Sequence, residues 1–271
     1  MTGAAAARTA PGRAVLLKRL SRSTQTAFSL LAAAAIWEIM GRFVIDSPIL
    51  FVPFSRVLVR GYELWQTGEL QQHIWISFIE FIGGFALASV VGILVGGVLG
   101  GSRFLKNLFE PWVSMLYSTP VIALGPLFIL WLGIGVGSKI AIIFLTSVFP
   151  VLINTIIGLT TTDKTLLEVA RSCGASRSQL FWKVQMPAAT PFVIGGLRLG
   201  VARALVGVVV AELFGARAGL GFMILNSTQS FDTASLYVGV LILAVAGIVS
   251  VWLLKLLEER IAPWRFTEDD E

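Results

Sequence analysis

Five long apolar segments constrain the fold of this chain more than any other feature. They occupy residues 26–45, 74–99, 140–159, 191–213 and 234–257. A helix needs about 20 predominantly apolar residues to cross a bilayer. Helices are the only open choice for segments of this length, since backbone polar groups find no water in the lipid core. A sixth segment, 108–132, is long enough but contains three prolines. The sequence therefore predicts an all-α membrane protein with about six transmembrane helices.

Charged residues are scarce and unevenly placed. They make up 14% of the chain, against roughly 25% in soluble domains, so most of the surface is expected to face lipid. With six spans, 14 of the 21 lysines and arginines fall on the side that holds both termini and residues 161–190, and five fall on the other side. Cytoplasmic loops carry such an excess. Both termini and this loop are thus predicted to be cytoplasmic, and the basic balance reflects topology rather than nucleic-acid binding.

This topology divides the chain into three parts. Residues 1–25 form a basic cytoplasmic N-terminal segment, expected to be disordered or to lie on the membrane surface. Its basic region is long and its apolar run exceeds that of a cleaved signal peptide. Residues 26–265 form the transmembrane domain, and residues 266–271 form an acidic tail that is expected to be solvated.

A charged stretch, residues 161–190, separates the fourth and fifth predicted spans and is called the polar loop below. Glu168 to Arg171 is expected to form a helical turn. Gly174 follows at a position typical of a helix stop, since glycine readily adopts the left-handed conformation that ends helices. The first half of the loop is therefore predicted to be a short helix.

The second half of the polar loop predicts another short helix. Ser176 and Gln179 have the spacing of a capping box, which would start a helix over residues 177–184. Pro187 is expected to break the chain before the next span. Two short helices on a cytoplasmic loop form a compact charged surface that is suited to docking a partner protein.

Several kinds of chemistry lack the residues they need. His73 is the single histidine and Cys173 the single cysteine, so zinc sites of the usual types are not available. We interpret His73 as structural or solvated at the outer interface. No phosphate-binding Gly-x-x-x-x-Gly-Lys-Ser/Thr loop and no Gly-x-Ser-x-Gly elbow occurs. The sequence therefore predicts neither a metal site nor an ATP site, and a membrane enzyme is poorly supported.

The third predicted span is interrupted by Pro120 and Pro126, each of which removes a backbone donor. Irregular backbone at membrane depth is tolerated where it is buried in protein or lines a wet cavity, and broken helices often border the substrate route of transporters. A simple kinked helix is the alternative interpretation.

Ionisable groups within membrane spans are costly and are functional candidates by default. Those in this chain are Glu80, Glu110, Arg198, Arg203 and Glu212. From these ionisable groups and the polar residues beside the proline break, we predict which residues line the translocation pathway. They are Tyr117, Ser118, Asn154, Arg203 and Glu212. Interhelical hydrogen bonds, and for Glu212 a structural network, remain alternative roles.

Other features predict packing rather than chemistry. Gly92, Gly96 and Gly100 lie four apart, which lets another helix approach closely without identifying it. Glu38 and Arg42 have the favourable order of a helical ion pair. Residues 57–66 are expected to form a short interfacial helix, and residues 214–233 a re-entrant or interfacial one.

Within the polar loop, Glu168-Val169-Ala170 is followed by Gly174 and then by Met186-Pro187. This order resembles the Glu-Ala-Ala loop of binding-protein-dependent ABC importer permeases. Four further stretches look like the sulfonate, taurine and nitrate branch of that family. They are PLFILWLGIGVGSK at 126–139, FPVLINTIIGL at 149–159, GLRLGVARALVGVVVAELFG at 196–215 and ERIAPWR at 259–265.

The resemblance implies the type I ABC importer (MetI-like) permease fold in a bacterial plasma membrane. It also implies partners, namely a second permease copy, two cytoplasmic ATPase subunits, and a periplasmic or lipid-anchored solute-binding protein. ATP and Mg would be bound by the ATPase subunits and no cofactor by this chain. Coupling to the ATPases would be carried by residues of the polar loop: Glu168, Ala170, Arg171, Gly174, Ala175 and Arg177.

Departures from the family pattern leave the substrate open. Val136 stands where this branch often has Glu, Glu80 where a basic residue is usual, and Val251 where Asp is frequent. The resemblance to this branch, together with Arg198 and Arg203, favours an anionic solute. A stand-alone secondary transporter or channel is the alternative function, although it would be helped by inverted repeats, of which the sequence gives no clear sign.

Overall fold

The computed structural model describes residues 11–45, 47 and 49–262, with side chains from residue 24 onward. Its α-helices are α1 (Pro11–Ile39), α2 (Phe54–Gln66), α3 (Glu69–Gly101), α4 (Arg103–Ser118), α5 (Gly125–Leu132), α6 (Val136–Thr160), α7 (Lys164–Ser172), α8 (Arg177–Leu180), α9 (Met186–Leu213), α10 (Leu220–Gln229) and α11 (Thr233–Ile261). These residues include no strand, and the predicted all-α fold is confirmed.

Five helical stretches are long and apolar enough to cross a membrane. They are Thr24–Val44, Glu69–Gly101, Val136–Thr160, Arg177–Leu213 and Thr233–Ile261. A sixth crossing results if Arg103–Ser118 and Val121–Leu132, which are bent by 76° at their junction, count as one span. The break predicted at Pro120 is confirmed. Pro126 does not interrupt a helix, because it lies in the first turn of α5, where its missing N–H has no intrahelical partner to lose.

The centre of the bundle is α6, which packs along α3 on one side and α9 on the other. A Cβ atom on Gly96 would lie 2.8 Å from the carbonyl oxygen of Leu152, and one on Gly100 would lie 2.9 Å from Leu159. Only glycine permits this backbone approach. The predicted glycine contact is confirmed, and its partner, which the sequence did not identify, is α6.

The prediction that Pro187 breaks the chain, leaving a separate helix over 177–184, was wrong. Instead, α8 continues through a π-helical segment, Phe181–Gln185, into α9, so that the fifth span begins within the polar loop. In the wide π turn, the amide of Met186 bonds to the carbonyl of Phe181. Pro187 then falls in the first turn of α9, where no N–H is needed.

The N-terminal segment meets one of its two predicted alternatives less well than the other. Residues 11–25 belong to α1 and are therefore helical rather than disordered, while a position on the membrane surface stays a prediction. Residues 1–10 and the acidic tail 266–271 lie outside the described residues. Further along α1, the indole N–H of Trp37 donates to the carbonyl of Val52 (3.0 Å), and the Trp37 ring contacts Tyr237. These contacts attach α1 to α2 and α11.

Two short helices, α2 and α10, lie at the end of the bundle opposite the polar loop. Both were predicted, α2 with a later start and α10 as part of a longer segment, residues 214–233. Their buried residues join residues of α3 and α11 in one apolar cluster that includes Val57, Leu64, Met223 and Val238. We call α2, α10 and the adjoining ends of α3, α6, α9 and α11 the α10 end of the bundle.

Candidate functional site: the polar loop and the Arg203 cavity

The first half of the polar loop is built by local hydrogen bonds. Asp163, an N-cap that the sequence analysis missed, accepts from the amide of Thr165 (2.8 Å) and starts α7. Gly174 ends this helix with φ of +78°, and its N–H donates to the carbonyl of Arg171 (2.9 Å). A left-handed residue at this point is the common way to end a helix, so the predicted stop is confirmed.

The second half begins with the predicted capping box. The hydroxyl of Ser176 accepts from the amide of Gln179 (3.3 Å), while the Gln179 side chain accepts from the amide of Ser176 (2.8 Å). Leu180 is buried, and the ring of Phe181 lies over Gly97 and Gly101 of α3. The loop is thereby seated on the end of α3 through the start of α8 and the π segment.

The rest of the polar loop faces outward. Arg171 and Arg177 are exposed, and neither forms an ion pair with a described residue; Glu168 is exposed as well. Large apolar side chains are also uncovered, with Val169 at 57% and Trp182 at 65% exposure. Of the other predicted coupling residues, Gly174 is exposed, whereas Ala170 and Ala175 are half-buried. The structure thus brings all six predicted coupling residues together on one short helical hairpin.

A second feature lies where α4 ends. A cavity of about 350 Å³ opens between the α4 break, α6 and α9. It is lined by Tyr117, Thr119, Pro120, Val121, Ile122, Leu145, Thr146, Phe149, Arg203 and Val206. Two predicted pathway residues, Tyr117 and Arg203, therefore meet in one cavity, which is called the Arg203 cavity below. Thr146, which the sequence analysis missed, lies in an apolar run and carries no signal of its own.

Arg203 is exposed on α9 and forms no ion pair with any residue that the structure describes. It lies about 15 Å along the helix from the end of the span at Leu213, at 1.5 Å per residue. An arginine at the centre of a membrane helix costs about 2.5–3.5 kcal/mol on insertion scales. Arg198, five residues earlier, donates instead to the buried carboxylate of Glu258 on α11. One arginine of this helix thus pairs with a described residue and the other does not.

The remaining pathway candidates lie elsewhere. Ser118 donates to the carbonyl of Ser114 (2.8 Å) and Asn154 to that of Pro150 (2.8 Å), each within its own helix. Neither is among the residues that line the Arg203 cavity. Glu212 is 1% exposed and lies at the α10 end, in the structural network that the sequence analysis left as its alternative role.

Glu212 holds the start of α10. Its carboxylate accepts from the hydroxyl of Ser77 (2.5 Å) and from the amides of Gly221 (2.5 Å) and Phe222 (3.3 Å). A carboxylate at this position satisfies amides that have no partner within the helix and opposes its positive end. The oxygen of Ser77 in turn accepts from the amide of Leu220 (2.8 Å).

Further polar contacts cross between elements at the same end. His73 accepts from the amide of Gly219 (2.9 Å) through Nδ1, which is a structural role. The Lys139 ammonium donates to the carboxylate of Glu80 (2.7 Å), and both side chains are buried. The sequence analysis noted Glu80 but not its partner, because 59 residues separate them.

The contacts of α2 complete this end. Arg60 binds Asp232 at the start of α11 through Nη2 (3.1 Å). The predicted pair of Glu38 and Arg42 is confirmed at 2.5 Å, and the Glu38 carboxylate also accepts from the amide of Ser55 at the start of α2 (2.9 Å). Ion pairs and caps therefore join α1, α2 and α11.

Comparison with known proteins agrees with this architecture. A family model described as "Binding-protein-dependent transport system inner membrane component" matches residues 88–263. The chain is 38% identical over 232 residues to a protein named as the aliphatic sulfonates transport permease SsuC of Bacillus subtilis, covering 85% of this chain and 84% of that one. It is 30% identical over 249 residues to the formylaminopyrimidine transport permease ThiX of Halalkalibacterium halodurans, covering 92% and 99%.

A solved structure supports the fold. The MetNI methionine ABC transporter, in an inward-facing conformation, superposes with a TM-score of 0.59 at 20% identity, covering 77% of this chain and 98% of that one. The predicted MetI-like fold is confirmed. The family match spans more than half of the chain, and the similarity to SsuC agrees with the predicted sulfonate branch. The chain is a multi-pass membrane permease and belongs to the family of binding-protein-dependent transport system inner membrane components of ABC transporters.

Proposed function

We propose that two copies of this chain form the pathway of an ATP-driven importer and that the polar loop of each copy docks on a cytoplasmic ATPase subunit. ATP and Mg would be bound by the ATPase subunits. An external solute-binding protein would deliver a small solute to the opposite face of the membrane. Both termini and the polar loop lie in the cytoplasm in this proposal.

The observation that carries the proposal is the contrast between the backbone and the side chains of the polar loop. The backbone is fixed by two caps and a left-handed glycine, so the hairpin has a defined shape without a partner. Its side chains include an uncovered tryptophan and two arginines that pair with no described residue. Tryptophan and arginine are enriched among the residues that dominate binding energy at protein interfaces. A fixed hairpin with uncovered groups is suited to transmit motion between a nucleotide-driven subunit and the fifth span.

The continuity of α8 with α9 supports a mechanical role. Because the hairpin and the fifth span share one helical run from Arg177 to Leu213, a displacement of the hairpin is passed to the span without a flexible linker. Arg203, beside the α4 break, lies on that run. Movement of the polar loop would therefore change the geometry of the Arg203 cavity directly.

The test is charge reversal at matched arginines. Arg171→Glu should weaken association with the ATPase subunits about tenfold or more, because a charge at the contact becomes repulsive. Arg56→Glu is the control for ATPase co-purification, since Arg56 is also exposed and lies on α2 at the opposite end. The measurements are co-purification of the ATPase subunits and transport-dependent ATP hydrolysis in vesicles. Normal coupling in Arg171→Glu, or equal loss in Arg56→Glu, would contradict the proposal.

A further inference from the structure

The Arg203 cavity combines one unneutralised cation with a mostly apolar lining. The guanidinium has five N–H donors and no acceptor, and no described acid faces it. Arg198 shows that this helix does pair an arginine with a carboxylate where one is needed for structure. The absence of such an acid around Arg203 leaves a place for a negative group that none of the described residues supplies.

The polar groups around the cavity are not equivalent. The hydroxyl of Thr119 donates to the carbonyl of Met115 (3.0 Å), and that of Thr146 donates to the carbonyls of Ile142 (3.0 Å) and Ile143 (2.9 Å). Their hydrogens are engaged within their own helices, which leaves the Arg203 guanidinium and the Tyr117 hydroxyl as the side-chain donors for a ligand. Two donors and a positive charge select an anionic acceptor.

The remaining lining restricts the size and nature of the ligand. Pro120, Val121, Ile122, Leu145, Phe149 and Val206 are apolar. The volume of about 350 Å³ lies near the lower end of the range of ligand pockets, about 300–1,000 Å³. A small organic anion, with a charged head at Arg203 and a short carbon body against these side chains, fits better than a fully hydrated inorganic ion.

We propose that Arg203 and Tyr117, at the break between α4 and α5, form the anion-selective site of the translocation pathway, which takes small organic sulfonates or carboxylates. The proposal rests on the proposed function in one respect, that the solute crosses this chain. It names the residue that selects the charge of the solute. Because Arg203 lies on the helical run that starts in the polar loop, the site is placed to be opened or closed by the same movement that the ATPases drive.

Transport in the assembled importer gives the first test. Ethanesulfonate is the anionic probe, and a neutral sulfone of similar size is the uncharged probe. Sulfate tests a purely inorganic anion. Arg203→Gln should raise the KM for ethanesulfonate about 10- to 100-fold, as expected for the loss of a hydrogen bond to a charged group, with an unchanged neutral flux. Arg203→Lys should be intermediate, because it keeps the charge but not the planar donors. Leu199→Ala, an exposed position one turn earlier, should behave like the unmodified importer.

Chemical modification gives a second test that does not require a transported probe. Phenylglyoxal reacts with accessible arginines, and its reaction at Arg203 is followed by peptide mass spectrometry in the assembled importer. Ethanesulfonate should protect Arg203 severalfold and leave Arg171 unprotected, and Tyr117→Phe should reduce the protection. Sulfate should protect less than ethanesulfonate.

Three results would overturn the proposal: no protection of Arg203 by ethanesulfonate, an unchanged KM in Arg203→Gln, or failure of Arg203→Gln to assemble. The last would mean that Arg203 pairs with the second copy and has a structural role. If the unmodified protein does not bind ATPase subunits, the proposed function is contradicted. The protection of Arg203 by ethanesulfonate would then decide this proposal separately.

Discussion

The two ends of the bundle use similar polar residues in opposite ways. At the α10 end, charged side chains are neutralised by residues far away in the chain, as Glu80 is by Lys139 and Arg60 is by Asp232. In the polar loop, hydrogen bonds join residues two to five apart and leave Arg171 and Arg177 without a partner among the described residues. The named ion pairs of the α10 end are satisfied within the chain, although Arg56 and Trp65 of α2 are exposed there. The two arginines of the polar loop are not paired with any described residue.

This difference indicates which end is completed by another protein. Buried ion pairs fix the relative positions of helices but offer no free group to a partner. A capped hairpin with exposed charges and an exposed tryptophan does the reverse, since local caps and a left-handed glycine fix its turn while its side chains are available. The comparison makes three mutational predictions, ordered by the size of the expected effect.

The largest effect is expected from Lys139→Ala at the α10 end. The substitution leaves the carboxylate of Glu80, which is fully buried, without its cation. Breaking a buried pair by removing one partner destabilises proteins by about 3–5 kcal/mol. Thermal unfolding of the purified permease should show this loss.

A double variant separates the ion pair from packing. Glu80→Met with Lys139→Met replaces both charges by side chains of similar size and should recover most of the stability, because apolar replacement of a buried pair is often neutral or better. Lys164→Ala in the polar loop is the exposed control, expected within about 0.5 kcal/mol of the unmodified protein. Equal effects of Lys139→Ala and Lys164→Ala would show that the two ends do not differ as described.

The intermediate effect is expected from substituting two glycines that share a positive φ and lie at opposite ends of the bundle. Gly174 has φ of +78° and Gly68, between α2 and α3, has φ of +81°. A Cβ atom at either position would meet nothing within 4 Å, so alanine adds backbone strain alone, roughly 1–2 kcal/mol. Gly174→Ala and Gly68→Ala should therefore cost similar local stability.

Their functional consequences should differ. Gly174→Ala distorts the turn of the hairpin and should reduce ATP hydrolysis coupled to transport, whereas Gly68→Ala should leave coupling intact. Gly174→Asn should retain more coupling than Gly174→Ala, since asparagine tolerates the left-handed conformation. Coupling is measured as the ratio of solute moved to ATP hydrolysed. An equal loss of coupling in both alanine variants would remove the distinction between the two ends.

The same comparison explains how much was predictable from the sequence. The spans follow from apolar length, and the stop at Gly174 and the capping box of Ser176 and Gln179 follow from short spacings, so the polar loop was largely foreseen. Pro187 was misjudged because a π turn shifts the hydrogen-bond register by one residue, and proline then occupies a position that needs no donor. Nothing in the local pattern distinguishes that case from a true break.

The α10 end could not be predicted in the same way. Lys139 and Glu80 are 59 residues apart, and Ser77 and Glu212 are 135 residues apart, so their pairing depends on how α3, α6 and α9 are arranged in space. Arg203 was singled out because an arginine within a span is unusual, but its meeting with Tyr117 depends on how α4 and α9 are placed beside α6. Sequence identified single unusual residues, while the three-dimensional arrangement determined which of them share a site.

The smallest effect is expected at the start of α11, where Asp232 both caps the helix and pairs with Arg60. Asp232→Asn keeps the cap, since asparagine is an equally good N-cap, but replaces by an amide nitrogen the oxygen that accepts from Arg60 and from the Ser235 hydroxyl. The loss of the partly exposed ion pair is worth about 0.2–1 kcal/mol. Burial alone would raise the pKa of the Asp232 carboxyl, but hydrogen bonds from Ser235 and the charge of Arg60 outweigh it and lower the pKa. A lowered folded-state pKa means that the stabilisation is present above the unfolded pKa, about 3.9, and is lost as the pH falls through the folded value.

Hydrogen exchange at the start of α11 should therefore distinguish Asp232→Asn from the unmodified protein equally at neutral and mildly acidic pH, with the difference vanishing only in strong acid. A difference that disappeared already near the pKa of histidine would assign the effect to another group and would show that this contact does not contribute to closing the α10 end.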